Sequence, residues 1–241
     1  MSSEAAPGPA AVPHEAVDDF APFGIRAFTT TREAGSFSTM TDEPVRDVLG
    51  RWDALRESLA DAATRLATSR QVHGARVVVH GGDWEGWLRG GPADGHVSVE
   101  RGTAMAVSVA DCVPVFLAHP SGAAAVLHSG WRGTVGRIVE HGILALAHRG
   151  VPARELHLHL GPAICGKCYE VSPDVYGQLT GRGVDAPTAV DLRHLIAEHA
   201  RAAGVRHVAV SDRCTRCDND RYFSHRAGDA GRQLAVIVAE S

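Results

Sequence analysis

The chain has 241 residues, of which 44% are hydrophobic and 22% charged, a composition that excludes a disordered chain and allows a full buried core. A formal net charge of −4 gives no overall basic field, which argues against nucleic acid as a partner. No apolar run approaches the ~20 residues of a membrane span, which argues against a membrane-embedded protein.

The first nineteen residues are rich in Ala and Pro and carry scattered acids. They lack the basic start and apolar centre of a signal peptide and read as a disordered tail. A single domain is expected over residues 20–241. Residues 24–31 (GIRAFTTT) read as a strand. A helix is expected over 42–67, with Asp42 as its cap and Pro44 near its first turn. Residues 70–80 (RQVHGARVVVH) are β-branched and strand-like, and residues 81–95 read as a glycine-rich loop. Two strands follow, 103–110 and 114–120, separated by Asp111 and Cys112. A carboxylate is costly to bury without a partner, and proline cannot donate to a ladder. Asp-Cys-Val-Pro within the most apolar run therefore marks a break between strands, which Pro114 helps to enforce.

Residues 122–130 read as a strand and 133–150 as a helix closed by glycine. Residues 155–162 alternate as a strand, and 190–204 form an amphipathic helix. Residues 205–212 and 232–240 are late strands. Many strands, few helices and no strict βαβ rhythm point to an α+β fold, a layered sandwich with mixed β-sheets and flanking helices.

Three strand ends carry donor-grade side chains: His73, Cys112 and His128. Two imidazoles and a thiolate match the donor count of a catalytic zinc site, which leaves a fourth position open. Each residue taken alone also fits an ordinary role, the histidines as satisfied strand-end groups and the cysteine as inert packing. Arg132 follows a glycine-rich turn at a helix start, which suits either an anion site or a structural arginine. Asp111 fits a proton carrier or a turn-capping aspartate. The other four cysteines form two C-x-x-C pairs, Cys165/Cys168 and Cys214/Cys217, with 45 residues between them. That format fits a structural zinc or ordinary reduced thiols. Five cysteines in a protein with no evident secretory signal suggest a cytoplasmic location.

The segments RQVHGARVV, ADGHVSVERGTAMAVSVADCVPVFL, AVLHSGWRGT, LGPAICGKCYEV and CTRCDNDRYFSHR resemble the YfiH-type laccase-domain family. The resemblance runs from about Gly24 to Val238. It implies a YfiH-like sandwich and a purine nucleoside phosphorylase with adenosine deaminase activity. It also implies metal ligation by His73, Cys112 and His128, with zinc or copper as the ion. Those three residues and Asp111 are the expected catalytic set. Gln71, Arg132 and Arg226 are the expected substrate contacts, for a purine nucleoside and for phosphate as co-substrate. A monomer or weak homodimer is expected. The sequence departs from the family pattern in TTREAGSFSTMTDEP and in SHRAGDAGR, which bears Arg226.

Two alternatives fit the same residues. One is a cysteine hydrolase with a Cys112–His128 dyad, acting on peptidoglycan precursors. The other is a non-catalytic metal-bound factor of envelope growth or division. Multicopper phenol oxidation does not fit, because His157 and His159 form the only His-x-His pair and several coppers need many more.

Overall fold

A computed structural model describes residues 12–241. Its elements begin with β1 (His14–Ala16), β2 (Ile25–Thr30), α1 (Val45–Ser58), β3 (Arg65–Arg70), β4 (Val77–His80) and β5 (Gly86–Pro92). They continue with β6 (Gly95–Ser98), β7 (Thr103–Val109), β8 (Val113–Ala118), β9 (Ala124–Ser129), α2 (Trp131–Val135) and α3 (Ile138–Ala147). The chain closes with β10 (His157–Leu160), β11 (Glu170–Val171), α4 (Pro173–Thr180), β12 (Thr188–Ala189), α5 (Leu192–Ala202), β13 (His207–Val210) and β14 (Gln233–Ala239).

Two mixed six-stranded sheets dominate. One has the order β1-β2-β14-β7-β3-β5, the other β13-β10-β8-β9-β6-β4. Alternate residues of a strand face opposite sides of its sheet, and here both sides are covered. Met105, Val107 and Val109 of β7 meet Phe116 and Ala118 of β8 in the core between the sheets. Ala104 and Ala106 of β7 face the other way and pack with Trp52 and Leu55 of α1. Val113, Val115 and Leu117 of β8 pack with Ile143 of α3 and Ile196 of α5. The layers are thus helix, sheet, sheet, helix. Burial on both faces is why these strands read as continuous apolar runs rather than alternating ones.

Strands β5, β3 and β7 are adjacent and parallel, so all three end at the same edge of their sheet. Each is followed by a strand of the other sheet: β3 by β4, β5 by β6 and β7 by β8. Three short connections, residues 71–76, 93–94 and 110–112, therefore cross between the sheets side by side.

Several elements differ from the sequence reading. The helix expected over 42–67 spans only Val45–Ser58, with Pro44 rather than Asp42 at its N-cap. Its Ala-rich tail favours helix locally, but Leu66 and Ala67 are needed in β3 between β7 and β5. The expected strand over 70–80 is the end of β3, a turn and β4. The glycine-rich loop contains β5, an edge strand. The helix expected over 133–150 is two helices, broken where Arg137 adopts φ 57°. β1 pairs with β2, so residues 14–16 belong to a sheet although the sequence reading put them in the tail. Residues 1–11 of that tail lie outside the described residues.

Candidate active site

The break between β7 and β8 is where the sequence placed it, but its cause differs. Pro114 lies inside β8, opposite His128 of β9. The His128 N–H points away from it, to the Asp94 carbonyl at 2.7 Å, while the Pro114 carbonyl accepts from Gly161 at 2.9 Å. Proline is tolerated because its nitrogen faces not β9 but Gly161, just past the end of β10, where the ladder stops. The break itself is made by Asp111, at φ 79°. His73, in the connection between β3 and β4, is likewise left-handed at φ 58°. Such a conformation costs a non-glycine residue about 1–3 kcal/mol and persists only where its surroundings hold it.

Asp94, in the connection between β5 and β6, supplies that hold for His73. Its side chain is fully buried. Oδ1 accepts from the His73 N–H at 2.9 Å, and Oδ2 from the N–H groups of Val72 at 3.2 Å and Gly74 at 2.8 Å. Oδ1 also pairs with His128 Nδ1 at 2.9 Å. One carboxylate thus shapes the turn that bears His73 and orients the ring of His128. Burial opposes its ionisation, but His128 and the N–H donors of Gly74 and Val72 hold its pKa below the usual carboxylate range.

His73, Cys112 and His128 converge. Their donor atoms lie within 4.8 Å of one another. The imidazole rings are 4.8 Å apart and nearly perpendicular, at 79°. His128 is buried, Cys112 half-buried and His73 exposed. Gly130 packs directly over the group: a Cβ there would sit 2.8 Å from Cys112 Sγ. Burial pushes the Cys112 thiol up, but the charge and hydrogen bonds of His128 and His73 outweigh it and bring it down to about 6. Burial lowers His128, but the Cys112 thiolate and Asp94 outweigh it and raise the imidazole to about 9. The donor set suits a metal: two imidazoles and a thiol easily ionised, reachable from one side.

That open side is a cleft of about 770 Å³, within the range of small-molecule sites. Gln71, Asp111, Arg132 and Arg226 all line it. Gln71 is nevertheless committed elsewhere: its amide oxygen accepts from the Ser108 N–H at 2.7 Å, and its amide nitrogen donates to the Ser108 carbonyl at 2.8 Å. It ties the His73 turn to β7. Asp111 is committed too, accepting from the Thr215 hydroxyl and the Arg226 N–H, both at 2.7 Å. Arg132 lies over the Trp131 ring at 4.3 Å, and Arg226 over the Tyr169 ring at 5.2 Å. The helix after Gly130 has only five residues, so the guanidiniums, more than a helix dipole, carry positive charge here. Asp94, Gly130 and Tyr169 were missed by residue-level reasoning. An aspartate beside a glycine reads as a turn residue, and nothing local signals that Asp94 reaches a turn twenty residues away and a third strand.

The family model described as multi-copper polyphenol oxidoreductase laccase matches residues 28–240. The chain belongs to this YfiH-type laccase family. A family member from Deinococcus radiodurans, named purine nucleoside phosphorylase, is 35% identical over 88% of this chain and 87% of its own length. Another from an unknown prokaryotic organism, named adenosine deaminase RL5, is 32% identical over 84% of this chain and 88% of its own. The crystal structure of YlmD from Geobacillus stearothermophilus superposes with a TM-score of 0.82 at 30% identity, covering 91% of this chain and 94% of that one. The YfiH-type fold expected from sequence, α+β with mixed sheets, is the fold observed. The multi-copper description has little support in the side chains. Among the described residues, two groups of three or more close donors occur, and neither contains His157 or His159.

Proposed function

We propose that this YfiH-type protein is a metal-dependent purine nucleoside phosphorylase. It acts on adenosine, inosine or methylthioadenosine with phosphate as co-substrate, and deaminates adenosine as a second activity. The observation that carries the proposal is the His73, Cys112 and His128 group, open to a cleft that also holds Arg132 and Arg226. Relatives named purine nucleoside phosphorylase and adenosine deaminase support it.

A zinc ion held by those three donors would supply Lewis acidity and a water of lowered pKa. The remaining roles belong to the chain. Arg132 and Arg226 bind hydrogen phosphate, whose oxygen bonds to C1′ as the bond to the purine breaks, and the proton that hydrogen phosphate gives up ends on the departing base. The Trp131 and Tyr169 rings pack against the base. Burial, with the nearby Cys112 charge, raises Tyr169 to about 12, so its hydroxyl remains a neutral donor. Asp94 orients His128, and Asp111 positions Arg226 through its backbone rather than carrying a proton.

The test uses one purified sample for elemental analysis and for assay with inosine. Hypoxanthine should appear only when phosphate is present. Arg132→Ala and Arg226→Ala should each raise the KM for phosphate by about tenfold or more, the loss of one charge-assisted contact. His73→Ala should lose cleft metal and activity together. Hypoxanthine release independent of phosphate would overturn phosphorolysis, and full cleft metal in His73→Ala would overturn the ligand assignment.

A second reading has one observation in its favour: Cys112, His128 and Asp94 form a thiolate, imidazolium and carboxylate in series. That is the order of a cysteine hydrolase. Activity in a metal-free sample, abolished by thiol alkylation, would select it. Activity that returns only with added metal would reject it.

A further inference from the structure

The second donor group has no part in the cleft chemistry. Cys165 and Cys168 lie in the loop after β10, and Cys214 and Cys217 in the loop after β13. Their four sulfurs lie within 4.8 Å of one another. The Sγ atoms of Cys168 and Cys217 are 3.5 Å apart. A zinc bound at about 2.3 Å by four thiolates sets sulfurs about 3.8 Å apart, so the group needs little adjustment to close on an ion. The backbone is already shaped for it. The N–H groups of Cys165 and Cys217 donate to Cys214 Sγ at 3.2 and 3.5 Å. One amide from each C-x-x-C turn thus converges on Cys214 Sγ, where the two donors balance thiolate charge. A bridge between Ala163 and Cys214, and the Thr215 N–H donating to the Ala163 carbonyl at 3.2 Å, hold the two loops in register.

We propose that Cys165, Cys168, Cys214 and Cys217 form a second metal site, a four-thiolate zinc that clamps the two loops together. The four thiols give their protons to solvent as the ion binds. All four positions are filled by protein, so the site is structural and does no chemistry. Its effect reaches the cleft through the segments it joins. Ile164 and Tyr169 line the cleft from one loop. Thr215, from the other, donates to Asp111, which in turn holds Arg226. The clamp therefore braces one wall of the cleft.

The test separates this ion from any ion at His73, Cys112 and His128. The wild type and His73→Ala are purified from zinc-supplemented cells and analysed for metal and free thiols. His73→Ala should retain about one zinc per chain, with four thiols shielded from a thiol reagent until the zinc is removed by a strong chelator. Cobalt exchanged into the same variant should give the visible bands of tetrahedral thiolate coordination. Cys168→Ser/Cys217→Ser should lose that zinc and melt at a lower temperature. If that variant does not fold, the cobalt spectrum and thiol count of His73→Ala decide alone. Zinc-free His73→Ala in which those four thiols react alongside Cys112 would overturn the proposal. So would a chain mass reduced by the hydrogens lost to disulfides, or iron in place of zinc.

Discussion

Asp94→Asn tests the centre of the site at nearly constant volume. The carboxylate accepts four hydrogen bonds, two at each oxygen. Whichever way the amide is placed, its NH2 replaces an acceptor that faces two donors. With the NH2 at Oδ2, the N–H groups of Val72 and Gly74 lose their partner. With it at Oδ1, His73 loses its backbone acceptor, and His128 must change tautomer to keep a bond. A donor left without a partner costs about 1–3 kcal/mol when buried, so one or two of these part-buried donors cost about 1–4 kcal/mol. Set against a typical total of about 5–15 kcal/mol, the variant should be folded but clearly weakened. Urea unfolding with an unchanged m-value measures the loss. Hydrogen exchange should show the amides of residues 72–74 losing protection before the rest of the sheets. Metal affinity at the cleft should fall about 10- to 100-fold, the usual effect of losing the partner that orients a ligating histidine. A variant within about 1 kcal/mol of wild type, with those amides still protected, would refute the hub role of Asp94.

Two further substitutions probe the surroundings. In Gly130→Ala the backbone is ordinary at φ −82°, so the only conflict is with Cys112 Sγ. Fold stability should change by less than about 1 kcal/mol while the sulfur is displaced, so slower thiol alkylation kinetics and weaker metal binding are expected together. Unchanged alkylation would show that Cys112 does not occupy the space Gly130 leaves. Burial lowers His80 and also His96, the latter to about 3, and the two rings hydrogen-bond at 2.9 Å. The folded state keeps His96 neutral while the unfolded chain protonates near 6.5, so the unfolded state takes up the extra proton. Stability from this group is complete above pH 6.5 and is lost as pH falls toward 3, by up to about 1.4 kcal/mol per pH unit. His96→Gln should flatten the fall in unfolding free energy between neutral pH and the acid end of that range. An equally steep fall in the variant would assign acid sensitivity to other groups.

The sequence exposed the two strands around Asp111 and Cys112 because an acid without a partner is costly inside an apolar strand, although Pro114 itself sits within β8. It exposed His73, Cys112 and His128 as donors, and the family motifs brought them together. Asp94 stayed hidden because its partners lie in another connection and another strand, and such contacts leave no periodic trace. β5 was read as loop because glycines at 86, 90 and 91 weaken a strand signal, and its pairing with β3 is non-local. α4 was not anticipated, although Ser172 caps it and Pro173 begins it, because it is only eight residues long. The helix expected over 42–67 ran too long because alanine-rich sequence favours helix until a sheet claims it.

The three connections that cross side by side between the sheets give the site a mechanical meaning. His73 and Cys112 ride on two of them, Asp94 on the third, and His128 on the facing sheet. Any sliding or opening of one sheet against the other must pull these groups apart. A ligand that grips His73, Cys112 and His128 acts as a rivet through both plates of the sandwich. Its departure should loosen the seam along its whole length, and the breathing motion of the sheets becomes a gauge of whether the site is filled.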